Sequence, residues 1–230
     1  RKAPEKPVSL LQVDQMELEI GYGLIALVDA EQGGDLLDRI TLMRKQCALD
    51  YGIIVPPIRV RDNIKLRPES YVVKIKNTEV GGSELRAGKF LAMDAGKVRR
   101  KLPGEEMREP AFGLPAVWLP AEQREEAELA GYTVVDPPTI IATHMTEIIK
   151  RHAPELLSLQ DVKELLDNLK KDYPAVLEEL KAREVPNMTI LQVLRTLLRE
   201  KVSIRNLVTI LEVLCEQYGS LKDQLLREQF

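Results

Sequence analysis

Over residues 15–30, QMELEIGYGLIALVDA, apolar and polar positions alternate with the two-residue period of a half-buried strand, and Gly21 and Gly23 mark a bend or bulge in it. The period then lengthens. Through 33–52, Leu36, Ile40, Met43 and Cys47 recur every three to four positions, Asp35 is placed to cap and Gly52 to stop, so this stretch predicts a helix. Two runs rich in β-branched residues follow, IIVPPIRVRD (53–62) and SYVVKIKNTEV (70–80), separated by the polar turn NIKLRPE; they predict two adjacent strands. GGSEL (81–85) reads as a short polar turn. KFLAMDAG (89–96) is a further strand candidate that opens a Gly- and Pro-rich stretch reaching Trp118. A short charged helix (121–131), a strand (132–136) and a helix over 137–154 complete this part, the last with proline in its first turn, where a missing N–H costs nothing.

Beyond Pro154 the pattern is helical throughout. Residues 158–219 are interrupted only by Pro174, Pro186 and Ser203, and Ser158 with Asp161 and Ser203 with Asn206 read as helix starts. Leu191, Leu194 and Leu198, then Leu207, Ile210, Leu211 and Leu214, form apolar faces that need a mutual core, which predicts a separate helical domain.

One segment fits neither pattern. REPAFGLPAVWLP (108–120) holds the only Trp and one of three Phe among three prolines. Pro110, Pro115 and Pro120 each lack an N–H and bias their predecessors away from helix, so the segment is extended or looped. Its rings either plug a core or line a surface hollow. For Trp118 and Leu91 the core reading wins. Phe112 stands between Ala111 and Gly113, neighbours too small to bury it, and for this ring both readings stay open.

Composition narrows the chemistry. Residues that are hydrophobic make up 44% of the 230 and charged ones 30%, the balance of a globular chain, and a net charge of −3 supplies no basic footprint for nucleic acid. No apolar run approaches the roughly 20 residues that span a bilayer. Cys47 and Cys215 sit inside helical apolar patterns and read as reduced core thiols. His144 and His152, eight apart, share one helix face that is expected to be exposed, without the further ligands a metal site needs. The phosphate-loop, dinucleotide, nucleophile-elbow and zincin motifs are absent, and Glu105–Glu106 and Glu125–Glu126 read as solvated neighbours, so neither enzyme, metal nor cofactor is expected. The opening RKAPEKP reads as the end of a linker.

The chain as a whole resembles the cytoplasmic region of the flagellar and type III secretion export-gate proteins, the FlhA family. The resemblance is carried by IGYGLIALVD (20–29), IRVRDNIKLRPESYVVKIKNTEV (58–80), LPGEEMREPAFGLPAVWL (102–119), GYTVVDPPTIIATHM (131–145) and VLRTLLREKVSIRNLVTILEVL (193–214), in family order and spacing. It implies an α+β, multi-subdomain architecture. Residues 1–14 would be the linker, 15–87 with 137–156 a small mixed α/β subdomain, 88–136 a β-rich subdomain inserted into it, and 157–230 an all-helical third, with no counterpart of the family's fourth. The full-length proteins of the family are bacterial inner-membrane proteins, and this region would be cytoplasmic.

Function follows from the same resemblance. It implies a non-enzymatic docking platform that binds export chaperones carrying late flagellar substrates, meets other export-apparatus components including the ATPase complex, and assembles with itself as a homononameric ring when anchored in the membrane. Chaperones dock in a dimple between the first two subdomains. Carried over by position, the dimple would be lined by Met93, Ala95, Phe112, Leu114, Val135 and Ile140, with Glu109 and Thr143 as polar partners at its rim. Ala95 stands where relatives can have Pro and Glu109 where they can have Asp, which puts groove depth and polar register in question. GYGLIALVDAEQGGDLLDRI has a flagellar look; the alternatives are a ring-assembly scaffold of a virulence-type gate or an unrecognised enzyme.

Overall fold

The computed structural model describes residues 13–227, so RKAPEKP and nearly all of the linker 1–14 lie outside the described residues. The described residues divide into two compact units, 13–43 with 56–148, and 44–55 with 149–227.

The first unit contains two four-stranded sheets. In one, β1 (Met16–Ile20) lies between β2 (Ile58–Asp62), its parallel neighbour, and β3 (Ser70–Ile75), its antiparallel one, and β4 (Thr78–Glu84) follows β3 at the edge. The two β-branched runs are therefore not neighbours, as their sequence proximity suggested. The earlier strand β1 inserts between them and satisfies both ladders. The second run is also two strands rather than one: Lys76 and Asn77 both take positive φ, the backbone of a tight hairpin turn, and GGSE continues as β4.

The proposed strand over 15–30 ends at Ile20 and gives way to a 3-10 turn over Tyr22–Leu27. The cause is the loop after β2, which crosses so close that a Cβ on Gly21 would stand 2.1 Å from the Arg67 carbonyl oxygen. Gly21 and Gly23 instead donate their N–H groups to Ser70 and Pro68 carbonyls at 2.7 and 2.8 Å.

Because β1 is central, both of its faces are covered. Met16, Leu18 and Ile20 enter the apolar core, while Glu17 and Glu19, only 2% and 3% exposed, face the other way. Glu19 accepts from Arg61, Asn63 and Lys74 at 2.9, 2.7 and 2.9 Å. Glu17 has Arg61 at 2.6 Å but without hydrogen-bond alignment, so that pair is Coulombic rather than directed.

The other sheet has the order β6-β7-β5-β8, built from β5 (Lys89–Met93), β6 (Glu105–Arg108), β7 (Pro115–Pro120) and β8 (Thr133–Val135). Pairing of Ala92 with Val117 and of Phe90 with Leu119 puts one set of side chains on the face that shares a core with Leu102, Ala127 and Ala130, the last two contributed by the short helix region α2 (Arg124–Leu129) and its end. Leu91, Met93, Trp118 and Val135 belong to the opposite face. Trp118 is 3% exposed and Leu91 fully buried, as their core reading requires.

Two longer helices, α1 (Leu36–Tyr51) and α3 (Pro137–Leu156), follow the predicted patterns, and Leu36, Ile40, Met43 and Cys47 are all buried. In the second unit, α4 (Leu159–Leu169) packs with α6 (Asn187–Arg199) and α5 (Pro174–Ala182) with α7 (Leu207–Arg227). A complete capping box opens α4: Asp161 N–H donates to the Ser158 hydroxyl and Ser158 N–H to the Asp161 carboxylate. At α7 it is Asn206 that accepts from Thr209 N–H, while Ser203 instead donates its hydroxyl to the Asp50 carbonyl at 3.1 Å. Gly52, at φ +70°, admits this approach, since a Cβ there would stand 2.5 Å from the Arg205 nitrogen.

Candidate functional site

The β6–β7 connection is a closed turn organised by one carboxylate. Glu109 N–H donates to Leu114 O at 2.9 Å and Gly113 N–H to Glu109 O at 2.8 Å, closing the loop through its backbone. The Glu109 side chain then folds inside, where its two oxygens accept the N–H groups of Ala111 at 2.7 Å and Phe112 at 2.8 Å. Gly113 occupies φ +70°, a conformation glycine takes without strain. The Arg108 guanidinium donates to Gly113 O at 2.9 Å from outside. Phe112 itself is 59% exposed.

The other predicted residues lie on or beside β5, β7, β8 and α3. Met93 and Ala95 run beside it, because Met93 pairs with Ala116 and Asp94 N–H donates to Pro115 O at 2.8 Å; Leu114 is half-buried at the turn's exit. Val135 lies on the same sheet face as Met93, on the strand that pairs with β5. The chain then turns at Asp136 into α3, where Ile140 is buried and Thr143 half-buried.

Glu109 does not stand at a rim. It is 2% exposed with both oxygens engaged by the turn, so it shapes the surface from below instead of meeting a partner from above. Ile140 is also buried, at 2% exposure, and offers almost no surface to a partner. Phe112, Met93, Ala95, Leu114, Val135 and Thr143 keep accessible surface.

A buried polar contact that sequence reasoning missed joins the first sheet to α3. The Tyr71 hydroxyl of β3 is 2.7 Å from Nδ1 of His144 on α3, the rings meeting edge to face at 5.9 Å. Burial holds the Tyr71 phenol far above its usual range, and the nearby Glu109 carboxylate raises it further, so the hydroxyl keeps its proton. His144 is 7% exposed, not on the open helix face its spacing suggested. Gly81 makes room for it, since a Cβ there would meet the imidazole at 3.2 Å. The Tyr71–His144 contact thus joins the first sheet to α3 next to Thr143, and the Glu109 carboxylate acts on the phenol only through its field.

A second contact also went unread. Arg39 on α1 donates to Thr139 Oγ1 at 2.6 Å and Asp136 Oδ2 at 3.0 Å, holding the start of α3. Asp35, four residues before Arg39, was the only sequence signal for it, and it marks a helix-surface pair at 2.8 Å and not the distant partners.

The pattern of the FHIPEP family matches residues 1–229. The chain belongs to the FHIPEP family. It is 50% identical over 220 residues to the flagellar biosynthesis protein FlhA of Bacillus subtilis, covering 96% of this chain and 32% of that protein. With FlhA of Treponema pallidum it shares 49% over 214 residues, 93% of this chain and 30% of that one. The chain thus spans about a third of the length of these curated relatives. Among solved structures, the Chlamydia pneumoniae CdsV protein superposes with a TM-score of 0.81 at 23% identity over 96% of this chain and 65% of that one. The cryo-EM structure of nonameric EPEC SctV-C does so at 0.70 and 19%, over 91% and 61%. These distant likenesses establish a shared fold for this FHIPEP chain: mixed α and β, two sheets followed by helices.

Proposed function

We propose that this chain is part of the cytosolic docking platform of a flagellar type III export gate. It receives export chaperones with bound late substrates and hands the substrates toward a membrane channel. The observation that carries this reading is the 59% exposed Phe112 ring, displayed on a turn closed by four backbone and side-chain hydrogen bonds beside half-buried Met93, Leu114 and Val135. A monomer has no folding reason to hold a phenylalanine outward on so constrained a loop. A partner's apolar helix face supplies one, and a pre-ordered turn loses little freedom on binding.

The flagellar assignment rests on the relatives that are 40–50% identical, all named flagellar biosynthesis proteins, against 19–23% for the secretion-system structures. The whole protein would be anchored in the inner membrane with this region in the cytoplasm; no helix among the described residues is long and apolar enough to cross a membrane. A second role, assembly with copies of itself, is supported by the likeness to a structure solved as a nonamer, and the helices of 157–230 would be its contact surface. The structure of the Chlamydia pneumoniae CdsV and CdsO protein complex, at TM-score 0.79, supports contact with a second protein besides the chaperones. The docking proposed here is non-covalent. The test is calorimetric titration of the protein with each export chaperone–substrate complex of the source bacterium. Saturable binding by at least one supports the reading, and no binding by any refutes it.

A further inference from the structure

The second sheet is joined to the first sheet and α3 by two crossings of the chain, residues 85–88 between β4 and β5, and Asp136 between β8 and α3. An arginine sits at each. Arg86 donates from Nε and Nη2 to the Glu105 carboxylate of β6 at 3.0 and 2.5 Å, and from Nη1 to Glu84 of β4 at 2.9 Å and to Leu85 O at 2.8 Å. One guanidinium therefore spans the last strand of one sheet and the first hairpin of the other. The same crossing is held at the backbone, where Ala87 N–H donates to Glu69 at 2.6 Å.

At the other crossing Asp136 caps α3, accepting from Thr139 N–H at 3.0 Å, and Arg39 grips both Asp136 and Thr139 from α1. Its Nε is occupied by Asp35 at 2.8 Å, which fixes the direction of the fork. Both arginines are about one-third exposed or less. At that depth a forked, multiply bonded guanidinium holds orientation in a way that a single flexible ammonium does not. Every docking residue on the second sheet lies between the two crossings, whereas Ile140 and Thr143 lie just past the second one.

We propose that Arg39 and Arg86 are positioning residues for partner docking, fixing the orientation of the second sheet against the first sheet and α3 so that Phe112, Met93 and Val135 meet Thr143 as one preformed groove. The inference rests on the docking reading above. Neither arginine touches the partner. Each acts through the crossing it holds, and removing both turns a preformed groove into one that the partner must assemble as it binds.

Two measurements separate this from general stabilisation. Backbone N–H residual dipolar couplings of β1 and β3, and of β5 and β7, are compared in the parent and in Arg39→Ala/Arg86→Ala, below the melting temperature of both. In the parent the two sheets fit one alignment tensor; in the double variant each sheet fits well alone but they require two. A single tensor in both proteins overturns the inference. The chaperone–substrate complex that binds most tightly is then titrated into the parent, both single variants, the double variant and Arg124→Ala, which removes a surface i,i+4 pair with Glu128 on α2 and a contact over the Phe90 ring within the second sheet but touches no crossing. The double variant is expected to lose about tenfold or more in affinity through lost preorganisation, and Arg124→Ala nothing. Unchanged affinity in the double variant overturns the docking role even where the tensors separate. Phe112→Ala in the same series guards the underlying reading: if it binds like the parent, the docking site itself is misplaced, while the couplings still decide what the arginines hold.

Discussion

The Glu109 carboxylate accepts the backbone N–H of Phe112 at 2.8 Å, and the acid is 2% exposed while the ring that it positions is 59% exposed. A buried charge normally serves the interior. Here it serves the surface, because its hydrogen bonds fix a turn whose apolar tip points outward. Glu109→Ala leaves the N–H groups of Ala111 and Phe112 without their acceptor, a local cost of about 1–3 kcal/mol. The expected result is a modest drop in melting temperature, faster hydrogen exchange at the Ala111 and Phe112 amides, and weakened docking with the Phe112 ring still present. Unchanged exchange at those amides would show that the turn does not depend on this acid.

The hydrogen bond from Lys74, helped by those from Asn63 and Arg61, outweighs the opposing effect of burial and holds the Glu19 carboxyl at about 2 against an ordinary 4.5. A folded-state value below the unfolded one means that the ionised form stabilises the fold. That contribution is complete above about pH 4.5 and disappears as pH falls toward 2. Allowing for solvent around the half-exposed Arg61, it is on the order of 2 kcal/mol. Denaturant titrations between pH 5 and pH 2.5 should show the stability of Glu19→Gln falling less steeply than that of the parent. Parallel curves would mean that other carboxylates carry the acid sensitivity.

Much of this architecture is legible in the chain, and the illegible parts share a cause. Helices α1 and α4 to α6 announce themselves because their signals are local: a three-to-four period, a Ser158 cap, a Pro174 or Pro186 start. Strand order is not local. Nothing within 53–80 says that β1 will come between β2 and β3, since both flanking strands satisfy the same alternation whichever neighbour they pair with. The site divides in the same way. Phe112 stood out by its prolines and small neighbours, but the partners of Arg39 lie 97 and 100 positions away and His144 meets Tyr71 across 73, distances that no spacing rule encodes. Glu109 was placed on the correct loop and the wrong side of it, because sequence does not say which way a turn folds its acid.

Tyr71→Phe removes only the oxygen that meets His144 Nδ1 and so reports on the contact between the first sheet and α3. Losing one hydrogen bond and leaving a buried imidazole nitrogen without it is worth about 1–3 kcal/mol. Thermal melts should show that loss, and the His144 ring signals in NMR should shift or broaden. A variant as stable as the parent would mean that water replaces the hydroxyl there.

Helix α4 offers a local control, since both halves of its capping box come from the Ser158–Asp161 pair. Ser158→Ala should cost about 1 kcal/mol, with exchange accelerated at the first turn of α4. Docking should be untouched. A docking defect in this variant would extend the partner's footprint to the helical unit.

The most direct measurement is the pair of Phe112→Ala and Trp118→Ala, each melted and each titrated calorimetrically with the tightest-binding chaperone–substrate complex. Trp118 is 3% exposed, so its truncation should cost about 3–5 kcal/mol of stability. Phe112 is mostly in solvent, leaves little cavity and should cost well under that, yet an aromatic anchor desolvated in a complex is worth roughly 2 kcal/mol or more, about thirtyfold in affinity. The account predicts Phe112→Ala melting close to the parent with docking lost. Phe112→Ala melting as early as Trp118→Ala, or binding the complex as tightly as the parent, would contradict it.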